Sequence, residues 1–313
     1  MNLEILQFIL AKGSGDASLR RLLSFAHNKG YESTEYLCRN AMDISKELNI
    51  NINISKNIVA SRDLALEMYE KLVDNNIEMI YLYHKSYPER LQATLEKGAP
   101  PVLFTQGNLE LLKLKSVGFC GSRKASEKGL LITKRCSSKI VSNGYTVVSG
   151  YAHGVDMTAH KSALESGGTT IIVLVDGLLR TKEKNDLKHL LNKENYLFLS
   201  QFPPMITWMS RNAMKRNETI IGLSDAMILV ESRLEGGTFS AGEETLKRKA
   251  HLFVIDYADP GPSAEANPYF IERGGISIRG NKEGQPYLSE LFEIVDHHSS
   301  NSFSEKQKEL FEL

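Results

Sequence analysis

The sequence predicts an α/β protein with an extended Rossmann-like sheet, doubly wound and mostly parallel, preceded by a small helical domain. Residues 117–177 alternate apolar runs with helix-like stretches in the order strand, helix, strand, helix, strand. That order is typical of a parallel sheet with crossover helices. Residues 1–74, by contrast, have helical apolar spacing and lack the glycine turns that follow the predicted strands.

Composition sets limits on the class of protein. The chain has 313 residues, 42% hydrophobic and 24% charged, enough for one large domain with one or two small ones. Basic and acidic residues number 38 each, so any basic surface is local. The cysteines (Cys38, Cys120 and Cys136) lie far apart without a CxxC pair, which indicates free thiols in a reducing compartment.

The location of the protein is predicted from the absence of targeting patterns. No apolar run reaches the ~18 residues that span a bilayer, and the amino terminus lacks a signal-peptide pattern. We therefore expect a cytoplasmic protein with no membrane partner.

Residues 1–75 are predicted to form the helical domain. An apolar cluster over residues 3–10 is interrupted at Gly13-Ser14-Gly15 and resumes at helical spacing from residue 19 to residue 25. A Gly-x-Gly turn between short helices can present N–H groups to a phosphate, as in helix-hairpin-helix modules. It can equally be a tight turn in a helical bundle.

Residues 76–285 are predicted to form the Rossmann domain. Its first part, residues 77–116, contains two short strands and a helix near Pro88, which we expect to pack on one edge of the main sheet. Beyond the opening motif, strands are predicted at 196–200, 226–231, 251–256 and 273–278, and helices at about 184–193, 211–222 and 238–249. Residues 286–313 are predicted to be a tail with one helix, too short for a full winged-helix domain.

Two glycine loops follow neighbouring predicted strands and predict an anion site. Because the carboxyl ends of parallel strands meet at one edge of a sheet, the loops at residues 121–124 and 150–154 should lie together. The helices that begin near Ser126 and Asp156 should direct N–H groups toward the same crevice. Glycines allow a phosphate to approach the backbone, and Arg123 can donate two hydrogen bonds to it. One such loop would more often be a simple turn, but two favour a phosphate site.

Two later segments should reach the same crevice. Residues 214–217 belong to a predicted helix after a proline bend, and residues 235–240 form a glycine turn after a predicted strand. Together the segments offer the amides, cations and hydroxyls that suit an extended phosphate-bearing ligand. Tyr151, Phe202 and Trp208 could stack on bases or belong to the core. The candidate phosphate- or nucleic-acid-binding residues are Gly121, Ser122, Arg123, Lys124, Gly150, His153, Gly154, Lys215, Arg216, Asn217, Gly236, Gly237 and Thr238.

Catalytic and metal-binding roles are considered for a few residues. His160 lies four residues after Asp156 on a predicted helix, and a helix-stabilising hydrogen bond is favoured because the spacing offers no third metal ligand. Glu243 or Glu244 could act as a general base or contact a ribose, although two carboxylates on a helix are more often solvated. We expect no metal and no cofactor.

Six blocks of sequence, in their order and spacing, resemble the DNA-processing protein A (DprA or Smf) family over roughly residues 77–256. The blocks are residues 87–91, 100–109, 117–126, 148–156, 159–170 and 216–226. Residues 1–75 fit the family's sterile-alpha-motif-like domain only loosely. The sequence departs from the family pattern in several places. Glu218 stands where a second arginine is common, and His153 replaces a usual arginine. Residues 178–185 lack the family's Tyr-Pro, and residues 235–240 replace a Ser-Gly-Ser-Leu-x-Thr-like block.

The resemblance implies an extended Rossmann domain that binds single-stranded DNA without catalysis. It implies that the protein protects incoming strands in natural transformation, loads a RecA-type recombinase onto them, and forms a homodimer. By position, it implies DNA contacts from Arg123 and from Arg216-Asn217.

The sequence thus predicts a non-enzymatic single-stranded-DNA-binding protein that acts in DNA uptake and recombination or in a defence or mobile-element role. The alternative is an enzyme or sensor for a small nucleotide. The related lysine-decarboxylase-like and phosphoribohydrolase superfamily uses a Gly-Gly-x-Gly-Thr-x-x-Glu motif, which Gly236-Gly237-Thr238 with Glu243 and Glu244 resembles at altered spacing. Such a protein would be a nucleotide N-glycosidase-type hydrolase. A partner-recruiting module that has lost its ligand is a third interpretation.

Overall fold

The computed structural model describes residues 1–181 and 184–301, which form a helical amino-terminal region and an α/β region. The strands are β1 (Glu78–Tyr81), β2 (Val102–Gly107), β3 (Ser116–Cys120), β4 (Thr146–Ser149), β5 (Thr170–Val173), β6 (Tyr196–Ser200), β7 (Ala226–Leu229), β8 (His251–Ile255) and β9 (Ile276–Ile278). The helices are α1 (Asn2–Leu10), α2 (Asp16–Lys29), α3 (Ala41–Leu48), α4 (Ile52–Ala60), α5 (Arg62–Asp74), α6 (Glu89–Leu95), α7 (Glu127–Ser142), α8 (Val155–Glu165), α9 (Asn185–Lys188), α10 (Ser210–Leu223), α11 (Gly237–Lys247), α12 (Asn267–Glu272) and α13 (Ser289–Asn301).

The strands form one sheet in the order β1-β2-β6-β5-β4-β3-β7-β8-β9. The run from β6 to β9 is parallel, and β2 is antiparallel to both of its neighbours. Strand β3 pairs with β4 on one side and with β7 on the other, so the strand order reverses there. Ligands of open α/β sheets bind in the crevice that such a reversal leaves at the carboxyl ends of the strands. The predicted fold and the edge position of residues 77–116 are confirmed.

Both faces of the sheet are buried. Along β7 and just beyond it, Met227 and Leu229 join one apolar cluster, while Ile228 and Val230 join another. This alternation follows from the two-residue period of a strand. The second cluster includes residues of α7, α8 and α13, and the first includes residues of α6, α10 and α11. Continuous apolar runs are what a sheet covered on both faces requires.

The amino-terminal helices pack onto the β1 side of the sheet. Buried residues of α1 to α5, such as Leu22 and Leu72, belong to the same cluster as residues of β1 and β2. The Gln106 side chain of β2 donates a hydrogen bond of 2.8 Å to the Asn75 carbonyl. The Arg20 guanidinium donates one to the Ala99 carbonyl. The helical character predicted for residues 1–74 is confirmed, while the domain boundaries at 75 and 285 stay predictions.

Helices α9 and α13 differ most in length from the predicted elements. The helix expected at 184–193 is α9, which has four residues and ends in a turn where the Leu191 amide donates to the Leu187 carbonyl. Helix α13 continues to Asn301, beyond the helix expected over residues 288–295, and packs through Leu291 and Val295, both fully buried. It is tied to the sheet by Asp296, which lies 2.6 Å from Lys115 Nζ. Residues 302–313 of the predicted tail lie outside the described residues.

Candidate functional site

Two adjoining cavities occupy the carboxyl edge of the sheet where β3 separates β4 from β7. The larger, of about 520 Å³, is lined by the loop after β3, by α10, and by the segment leading into α11. The smaller, of about 320 Å³, lies toward the loops after β4 and β5. Arg123, Ala152 and Arg216 line both cavities, so the two form one continuous cleft.

The two glycine loops meet in the cleft as predicted. Gly154 has φ +81° at the amino end of α8, a conformation that L side chains rarely adopt. A Cβ there would lie 2.4 Å from the Ser122 carbonyl oxygen, because the second loop packs directly against the backbone of the first. The Val155 amide donates a hydrogen bond of 3.3 Å to the same carbonyl. This packing fixes Arg123 at the junction of the two cavities.

Gly150 faces a protein group rather than open space for a ligand. A Cβ at this position would lie 1.3 Å from Nη1 of Arg216, so only glycine leaves room for the guanidinium. Gly121 behaves alike, since its Cβ would lie 2.4 Å from a methyl of Val155. Close phosphate approach was the expected reason for both glycines. The structure supplies an internal one, the packing of the cleft floor.

Arg216 lies in the cleft floor and is only 6% exposed. Its Nη1 is 3.7 Å from Oδ2 of Asp156 and donates a hydrogen bond of 3.3 Å to the Val173 carbonyl. Its Nε is buried and has no hydrogen-bond partner among the described residues. Burial lowers the pKa of Arg216, and the Asp156 carboxylate opposes that shift. Arginine nevertheless stays charged in proteins, so Arg216 and Asp156 form a buried ion pair beneath both cavities.

The amino end of α7 is occupied by a protein carboxylate, which corrects the expectation that it faces a ligand. The Ser126 amide donates a hydrogen bond of 2.9 Å to Glu231 Oε2, and the Ser126 hydroxyl donates one to Oε1. The same hydroxyl caps the helix by accepting from the Gly129 amide at 3.0 Å. Glu231 is 1% exposed, so it takes the place that an anion would take at this helix end.

The amino end of α11 remains open. Its N-cap, Gly236, offers no side-chain cap, and Gly237 and Thr238 of the first turn line the larger cavity. The Asn217 side chain donates a hydrogen bond of 3.3 Å to the Gly237 carbonyl and so connects α10 to this turn. Uncapped first-turn amides and the helix dipole favour a negatively charged ligand.

Charge in the cleft is divided between a neutralised floor and positively charged walls. Asp156 and Glu231 are held by Arg216 and by the amino end of α7. In the described part of the chain, Arg123 and Lys124 are exposed and form no ion pair. The other lining residues with acidic, basic or imidazole side chains are His153, Asp176, Lys184, Arg233 and Glu235.

Aromatic side chains line the smaller cavity. Trp208 is 54% exposed and faces it together with Tyr151. The Tyr151 ring lies 4.4 Å from Lys184 Nζ, and its hydroxyl accepts a hydrogen bond of 2.7 Å from the Lys184 amide. Phe202, the third aromatic considered, is buried, which supports its core role. Trp208 therefore offers the most accessible stacking surface of the three.

The structure brings most of the predicted site residues together. His153 lines the smaller cavity. The predicted residues that line the larger cavity are Gly121, Ser122, Arg123, Lys124, Arg216, Asn217, Gly237 and Thr238. Gly150, Gly154, Lys215 and Gly236 line neither, and Lys215 lies on the exposed side of α10. Sequence reasoning missed Arg233 and Lys184 as cleft cations, because each lies in a loop without a recognisable motif.

His160 and Cys120 have structural surroundings. His160 is fully buried, with Nε2 2.6 Å from the Gly150 carbonyl and Nδ1 2.6 Å from the Thr170 hydroxyl. Burial lowers its pKa to about 4, so the ring is neutral near pH 7. Its role is structural, but its hydrogen bonds hold the second glycine loop and β5 and do not stabilise its own helix, which corrects the expected helix-stabilising role. Burial also raises the pKa of Cys120 to about 12, which leaves a protonated thiol.

The carboxylates of the alternative hydrolase motif lie away from the cleft. Neither Glu243 nor Glu244 is among the residues that line the two cavities. Glu244 instead lies 2.8 Å from Nε of Arg248. Glu218, at the position of the family's second arginine, also pairs with Arg248, at 2.9 Å.

Residues 1–181 and 184–301 contain no group of three or more histidine, cysteine, aspartate or glutamate residues that could hold a metal ion. Nor do they contain a helix with the length and apolarity that spanning a bilayer requires.

Comparison with known proteins gives one consistent family. The family model described as DNA recombination-mediator protein A matches residues 78–282. Protein Smf of Escherichia coli is 29% identical over 199 residues, which cover 63% of this chain and 53% of that protein. DNA processing protein DprA of Streptococcus pneumoniae is 32% identical over 195 residues, covering 62% of this chain and 67% of that protein. The match thus spans about half the length of the first relative and two thirds of the second.

Solved structures agree in fold. The crystal structure of DNA processing protein A from Streptococcus pneumoniae superposes with a TM-score of 0.74 at 24% identity, covering 88% of this chain and 94% of that one. The protein from Helicobacter pylori, described for its single-stranded DNA binding mode, gives 0.57 at 21% identity, covering 72% and 96%. Because the family model covers well over half of the sequence, the chain belongs to the DNA recombination-mediator protein A family.

Proposed function

We propose that the cleft binds the sugar–phosphate backbone of single-stranded DNA without altering it, and that the protein protects such strands and hands them to a RecA-type recombinase. The observation that carries the binding proposal is the position of Arg123. Its exposed and unpaired guanidinium stands where both cavities meet, beside the open amino end of α11. Charges and amides directed into one groove, with accessible aromatics beside it, suit a single strand.

Further support comes from the relatives. The structural relative from Helicobacter pylori binds single-stranded DNA, and the cleft of this chain lies in the part that resembles the family. The protective and recombinase-loading roles rest on that resemblance and serve either DNA uptake or a defence or mobile-element role. A homodimer is part of the same proposal. A molar mass from light scattering that equals the mass of a single chain would contradict it.

The absence of catalysis is proposed on the positions of the candidate groups. The motif carboxylates Glu243 and Glu244 lie outside the cleft lining, and Glu231 is held at the amino end of α7. Incubation with a mononucleotide should therefore release no free base.

The binding proposal is tested by titrating the protein into a fluorescently labelled oligo-dT and following anisotropy at two salt concentrations. Wild type should bind saturably and more weakly at high salt, because each phosphate contact releases counterions. Arg123→Ala should lose most of the affinity. Arg39→Ala removes an exposed arginine of the helical region and serves as the matched control.

Two outcomes would contradict the proposal. One is equal binding by Arg123→Ala and wild type. The other is no binding of any strand together with a thermal shift from a mononucleotide, which would favour the small-nucleotide alternative.

A further inference from the structure

The outward face of α7 is basic. This helix follows directly on the Arg123–Lys124 loop, and Glu127 at its start is the only acid in its 16 residues. Its later charged residues are all cations and all accessible to solvent, namely Lys128, Lys134, Arg135 and Lys139. Because the whole chain has a formal net charge of zero, this face is a local concentration of positive charge. We call these four residues the α7 ridge.

Neutral groups hold three of the ridge cations in place. The Arg135 guanidinium donates a hydrogen bond of 2.7 Å to the Gly284 carbonyl, and the Lys139 ammonium donates one of 3.0 Å to the Pro286 carbonyl. Lys128 Nζ lies 5.3 Å from the centroid of the Tyr257 ring. These partners orient the charges without neutralising them. No ridge residue forms an ion pair with a carboxylate in residues 1–181 and 184–301.

The ridge is continuous with the cleft. The loop that precedes α7 carries Arg123, which lines both cavities, and Lys124, which lines the larger one. Lys128, Arg135 and Lys139 are seven and four residues apart, which places them on one side of the helix. Lys134, one residue before Arg135, lies about 100° farther around the exposed surface of the helix. At 1.5 Å per residue, the helix extends this positive surface by about 17 Å from Lys128 to Lys139.

We propose that the α7 ridge binds the phosphates of a single nucleic-acid strand where the strand leaves the cleft. The inference rests on the proposed function and adds a second, sequence-independent contact surface to it. Lysine and arginine clustered along a helix are the electrostatic footprint of a protein that binds a nucleic-acid backbone. A protein partner fits less well, because Leu131 is the only large apolar residue of α7 that is well exposed, at 47%, and protein interfaces concentrate apolar and aromatic anchors.

The test compares strands of two lengths. A dT strand of about 8 nucleotides is within the length that one binding groove covers, and a strand of about 30 exceeds it. Lys128→Gln with Lys134→Gln removes two ridge charges that make no hydrogen bond to a carbonyl, so folding should be retained. For the long strand, log affinity plotted against log salt concentration has a negative slope. In the variant this slope should become less negative by about 0.7 for each phosphate that is no longer neutralised. For the short strand, affinity and slope should match wild type.

The matched control removes two exposed lysines of the helical region, Lys46→Gln with Lys56→Gln, and should change neither strand's binding. An unchanged slope for the long strand in the ridge variant would overturn the inference while leaving the cleft proposal intact, and would leave a protein partner as the occupant. If wild type binds neither strand, the proposed function fails and the ridge inference fails with it.

Discussion

Arg123 and Arg216 contribute to the same cleft in different ways. Arg123 is exposed and unpaired, so in the proposed complex it is free to contact a phosphate. Arg216 is buried beside Asp156, so removing its guanidinium would leave the Asp156 carboxylate without its ion-pair partner. Truncating one partner of a buried pair typically costs about 3–5 kcal/mol, because the other charge is left uncompensated. Substitution of Arg216 therefore mixes stability with binding, whereas substitution of Arg123 reports binding.

His160 gives the fold a predicted pH dependence. Its folded pKa of about 4 is depressed below the ordinary value of 6.5 for an unfolded histidine. Between these values the unfolded chain carries a proton that the folded chain lacks, so stability rises with pH and is lost as pH falls. From pH 7 to about pH 5 this residue should lower the free energy of unfolding by about 2 kcal/mol.

Urea denaturation of wild type and His160→Gln at the two pH values measures this contribution. Other groups titrate in the same range, so only the difference between the two proteins counts. Wild type should lose about 2 kcal/mol more than the variant on acidification. Equal losses would show that His160 is not held neutral in the folded protein.

At the scale of elements, the junction between α7 and the strand end at Glu231 is the least expected feature. Ser126 caps α7 and also donates to Glu231, so one hydroxyl serves the helix end and a buried carboxylate. Loss of an N-cap costs about 1 kcal/mol, and leaving a buried acceptor short of a donor costs about as much again. Ser126→Ala should therefore lower the free energy of unfolding by about 1–2 kcal/mol.

Chemical denaturation checks this value against a control on the same helix. Ser142 is exposed at the end of α7 and donates only to the Lys139 carbonyl. Ser142→Ala should stay within about 0.5 kcal/mol of wild type. If the two alanine variants have the same stability, the proposed role of the Ser126–Glu231 contact is wrong.

The elements themselves were largely predictable from the sequence. Strands such as β6 and β8 are short apolar runs between polar turns, and α7 and α10 show helical spacing, so local pattern determines them. Helix α9 was predicted too long, because Leu190 and Leu191 continue the apolar pattern although the backbone turns after Lys188. Such an end depends on tertiary packing rather than on local spacing.

The site was predictable in part for a related reason. That the two glycine loops meet follows from the parallel sheet alone, since strand ends share an edge. The pairing of Ser126 with Glu231, 105 residues apart, does not follow from any local pattern. The burial of Arg216 does not follow from a local pattern either, because its guanidinium fits only where Gly150 has no Cβ. Sequence therefore predicts the crevice but not which of its charges are already neutralised.

At the scale of the whole molecule, the chain has no net charge, yet the cleft is lined by Arg123 and Lys124, which form no ion pair in the described residues. The sheet reverses its strand order at β3, which places four separate segments at one crevice, and α7 extends positive charge from its rim. Affinity for the proposed ligand, single-stranded DNA, should consequently depend on local phosphate contacts and on salt concentration, and little on base sequence.

The location of the strand is the central claim, and photocrosslinking tests it most directly. A short oligo-dT in which halogenated uracil replaces some thymines is irradiated with the protein, and the crosslinked peptides are mapped by mass spectrometry. Crosslinks to Tyr151 and Trp208 in the smaller cavity, on an otherwise intact strand, are the predicted result. Crosslinks confined to the amino-terminal helices, with none in the cleft, would contradict the account.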